Sequence, residues 1–71
     1  MDQEVFEFTI YMIHACANKW AQSPAAVYKK MQTAHCIDKY LVPHYDVLHT
    51  QSTSFVVGDI EKYLGIEGDA I

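Results

Sequence analysis

Four histidines (His14, His35, His44, His49) and two cysteines (Cys16, Cys36) are the side chains here best suited to hold a metal or move a proton. Their spacing works against both. Residues two apart on a helix point in widely different directions, so His14 and Cys16 cannot grip one ion. His35 and Cys36 are adjacent and diverge too, and His44 and His49, five apart, turn well away from each other. A nucleophilic cysteine needs a base in contact and an orienting group, and adjacency supplies neither. Both thiols are read as small buried apolar groups. No metal and no cofactor is expected. One acid–base grouping can be drawn, His49 oriented by Asp46 or Tyr45, which would make the chain an accessory or cryptic enzyme domain. No nucleophile or oxyanion feature accompanies it. His49 has a simpler role at a helix end, where it meets the negative pole of the dipole and caps free carbonyls. Asp46 and Thr50 are expected to share a local hydrogen bond. His44 is expected to be partly buried and satisfied by a backbone carbonyl or by Tyr40. Phosphate loops, nucleophile elbows and dinucleotide fingerprints are missing from the sequence. The expectation is a protein that is not an enzyme.

The composition narrows the partners. Seventy-one residues suit one domain spanning 1–71, and a chain this short buries only about 60% of its unfolded surface. Yet 51% of the residues are hydrophobic and 13% aromatic, more than a thin core hides, and association is the natural outlet. Nine acidic residues face five lysines, and there is no arginine. Such a chain repels a phosphate backbone, so no nucleic acid is expected. The acidic opening Met1-Asp2-Gln3-Glu4 is unlike the basic start of a secretion signal. The apolar stretch from Phe8 to Ala17 is far short of the roughly 20 residues a membrane span needs. A soluble, cytoplasmic protein with two free thiols and no membrane partner is expected.

Helical elements must position these side chains. From Gln3 to Gln22, Phe6, Ile10, Ile13, Ala17 and Trp20 recur at steps of three and four, with Val5, Phe8, Met12 and Cys16 widening the face. This is read as the longest and central helix. Ser23-Pro24 is an N-cap followed by proline at the first helical position. A second helix follows to about Ala34, with Val27, Tyr28, Met31 and Ala34 inward and Lys29 and Lys30 in water. Ile37, Leu41, His44 and Leu48 keep helical spacing, but Pro43 interrupts them, predicting either a kink or two short helices. Gln51 to Ser54 reads as a loop, and Phe55-Val56-Val57, β-branched and aromatic, as an extended segment near residues 54–57. A last short helix is predicted with Asp59 as N-cap, closed by Gly65 in the left-handed conformation with Ile66 as its contact. The tail from Glu67 to Ile71 is expected to fray. The fold class is all-α, a small bundle of four to five helices with one short extended segment.

The run Tyr45-Asp46-Val47-Leu48-His49-Thr50, then Phe55-Val56-Val57, then Asp59-Ile60 with Tyr63-Leu64, resembles the bacterial family of domains of unknown function numbered 3791. The similarity spans Phe6 to Leu64, and Leu48-His49-Thr50 with Asp59-Ile60 is its most distinctive part. The loop departs from the pattern in carrying Gln51-Ser52-Thr53 where a glycine is common. The resemblance implies a small stand-alone protein with no assigned activity, often encoded beside larger or ADP-ribosyltransferase-like proteins, which would suit a partner or antitoxin-like component. The sequence thus points to a non-catalytic protein–protein interaction module, either a homo-oligomer or the partner of a larger protein. Its interaction or motif residues are Phe8 and Met12 on the first helix and Tyr45, Leu48, His49 and Thr50 in the shared stretch. Phe55, Val56 and Asp59 complete the set.

Overall fold

The computed structural model describes residues 2–65 and contains, among them, only helices and turns. Helix α1 spans Gln3–Trp20 and α2 spans Pro24–Thr33. A π-helical turn follows at Ile37–Leu41, then the four-residue α3 at Tyr45–Leu48, and α4 at Thr53–Leu64. The all-α fold class stands.

The boundaries follow from local chemistry. Ser23 Oγ accepts from the Ala26 amide at 3.1 Å, with Pro24 in the first turn. Ala21 ends α1 with φ 57°, and its amide donates to the Ala17 carbonyl. His35 ends α2 with φ 61°. Neither is glycine, so each left-handed residue costs about 1–2 kcal/mol that the surrounding packing offsets. In the π-helical turn the Val42 amide reaches back five residues to the Ile37 carbonyl at 2.9 Å. Pro43, lacking an amide hydrogen, then ends the turn. The Pro43 region is therefore two short helices.

The core gathers Met12, Ile13, Cys16 and Ala17 of α1 with Val27 and Met31 of α2. Cys36, Leu41 and Leu48 close it from the connecting segment, and Val56, Val57 and Ile60 from α4. Thr9 is also buried, its hydroxyl donating to the Val5 carbonyl at 2.9 Å.

Several expectations are corrected. Residues 54–57 are not extended, because α4 begins at Thr53. Ser52, not Asp59, is its N-cap, accepting from the Phe55 amide at 3.1 Å. Val56, Val57 and Ile60 have the i, i+1, i+4 spacing of a helix face, and burying that face outweighs the β-propensity of two valines. Asp59 sits in mid-helix. Phe6, Ile10 and Tyr28, expected inward, are exposed. α2, at about 15 Å, spans little more than half of the roughly 27 Å of α1, leaving the N-terminal turns uncovered. His44 is exposed rather than partly buried, though its Nδ1 donates to the Tyr40 carbonyl at 3.0 Å as anticipated. Thr50 donates to the Val47 carbonyl at 2.7 Å instead of to Asp46. Gly65 caps α4 with φ 75°. The Ile66 contact and the Glu67–Ile71 tail lie outside the described residues.

Candidate functional site

The uncovered turns of α1 form one wall of an open apolar groove of about 440 Å³. Phe6 and Ile10 come from α1, Tyr28 from α2 and Ile37 from the π-helical turn, with Ile13 and Thr9 buried between them. Phe6, Ile10 and Tyr28 stay 55%, 39% and 45% exposed, which marks a lipophilic surface rather than a core. Since the Thr9 hydroxyl is already satisfied, the interior of the groove is apolar. Polar groups stand beside it: Gln32, His35 and Asp38. His35 Nδ1 lies 3.6 Å from an Asp38 carboxylate oxygen, with both side chains well exposed.

A second recess of about 550 Å³ separates α1 from α4, lined by Tyr11, His14, Asn18, Lys19, Thr53 and Ser54. Three of its polar groups are partnered, and the first two with each other: the Tyr11 hydroxyl shares a 2.7 Å hydrogen bond with Thr53 Oγ1. Lys19 Nζ lies 3.0 Å from Glu61, whose carboxylate also accepts from Trp20 Nε1 at 2.7 Å. The Trp20 hydrogen bond first, and the Lys19 contact second, hold the Glu61 carboxyl below its ordinary value. This carboxylate works as a clasp between the end of α1 and α4.

The residues singled out from sequence are spread over several parts of the fold. Met12, Leu48 and Val56 are buried in the core, out of a partner's reach. Phe8 packs edge-on against Tyr45 with ring centroids 5.4 Å apart, joining α1 to α3. The Tyr45 ring in turn stacks on His49 at 4.5 Å, and His49 Nδ1 donates to the Tyr45 carbonyl at 2.8 Å. His49 and Tyr45 are thus brought together, while no hydrogen bond joins Asp46 to His49 among the described residues. Asp59 accepts from the Tyr40 hydroxyl at 2.6 Å. Burial and this hydrogen bond push the Tyr40 phenol well above its usual range. Phe55 is left 52% exposed on α4, apart from the groove.

Cys16 and Cys36 are both fully buried and unpaired. Burial pushes the Cys16 thiol up to about 12 and the Cys36 thiol to about 11. Protonated, enclosed thiols of this kind are poor nucleophiles and poor ligands. Among the described residues no three His, Cys, Asp or Glu side chains gather as a metal site. No described helix is long and apolar enough to cross a membrane. The groove itself escaped the sequence reading. The heptad-like spacing of Phe6 and Ile10 signals an apolar face but not whether a neighbour is long enough to cover it.

The fold and its surface define a small all-α domain whose apolar residues outrun its core. A family model described as a protein of unknown function (DUF3791) matches residues 7–65, and the chain belongs to that family. No curated protein and no solved structure matches it.

Proposed function

We propose that this chain is a non-catalytic protein–protein interaction module, acting in the bacterial cytoplasm as a homo-oligomer or as the partner, antitoxin-like, of a larger protein. The observation that carries this reading is the groove in which Phe6, Ile10 and Tyr28 stay exposed around Ile13. Apolar side chains clustered in a concavity gain by excluding water when a partner covers them. The unpaired, buried thiols accord with a reducing compartment.

The experiment is a tagged pull-down from the native host with the eluate weighed under non-denaturing conditions, alongside Phe6→Gln. A stoichiometric complex, or a defined oligomer of the chain, that is lost in Phe6→Gln supports the module. A monomer that recovers nothing, at high concentration and with the groove intact, overturns it.

A further inference from the structure

We draw no further inference here: the strongest candidate, the apolar groove between α1, α2 and the π-helical turn in which Phe6, Ile10 and Tyr28 stay exposed, belongs to the site already described, and nothing in the structure shows what covers it.

Discussion

At the C-terminal half of α1, Cys16 and Ala17 are enclosed by α2 and α4, and Trp20 is clasped by Glu61. At its N-terminal half, Phe6 and Ile10 repeat at the same helical spacing and remain open to water. Composition cannot separate the two halves, and their periodicity is continuous. What differs is the neighbour. α2 leaves the turn at Ala21–Ser23 and stops at Thr33, so its ten residues cover only the half of α1 they can reach. An apolar stripe specifies where burial is favourable, and the lengths of the adjoining elements specify where it happens. The uncovered remainder is surface available to a partner.

The contrast can be broken most forcefully by paired truncations. Ile60→Ala, in the closed region, should cost about 2–5 kcal/mol, whereas Phe6→Ala should cost less than about 1 kcal/mol. Urea unfolding of both variants checks this, and similar losses would mean that the two halves are equally buried. The closed half should also be sensitive to alkali. Burial raises the folded thiols of Cys16 and Cys36 above an ordinary value of 9.0, and Tyr40 is raised as well. The unfolded chain therefore loses these protons first. Stability should be fully present below about pH 9 and fall progressively above it, read from midpoints at increasing pH. The clasp comes next. Glu61→Ala should cost about 1–2 kcal/mol, discounted because the pair reaches solvent. Since the Glu61 carboxyl is held below its ordinary 4.5, the support it gives exists above that value and disappears as the pH falls through it. The wild-type loss at acid pH should accordingly be larger than that of the variant. Smallest is Gly58→Ala. A Cβ at Gly58 meets nothing within 4 Å, so the change should stabilise α4 by about 0.5–1 kcal/mol, and Gly58 is not part of the groove lining.

Much of the scaffold was legible from local signals. Ser23-Pro24 announces α2, Gly65 closes α4, and Pro43 divides the middle of the chain as its missing amide requires. The start of α4 was hidden because two conflicting signals coincide there. Phe55-Val56-Val57 carries β-propensity and Gly58 resembles a helix boundary, so Ser52, with the Phe55 amide three residues on, passed for part of a loop. Only the tertiary burial of Val56, Val57 and Ile60 decides in favour of a helix. The links Trp20–Glu61, Tyr40–Asp59 and Tyr11–Thr53 join residues 41, 19 and 42 positions apart. No periodicity reports pairs so distant. The exposed groove was missed for the related reason that reach between elements is a property of the folded chain.

The π-helical turn at Ile37–Leu41 has a consequence for how the chain tolerates change in length. Its wide backbone ring holds one residue more than an ordinary helical turn, so the extra residue is taken up within the turn rather than passed on as rotation. Deleting one residue there would let the turn tighten to α geometry while the chain beyond it keeps close to its present orientation. Leu41, buried in the core, and Tyr40, bonded to Asp59, stand at the far edge of the turn and report whether that orientation is kept. The segment behaves like a slack link: a change of one residue in its length is absorbed locally, and packing on either side sets the angle at which the second part of the chain docks on the first.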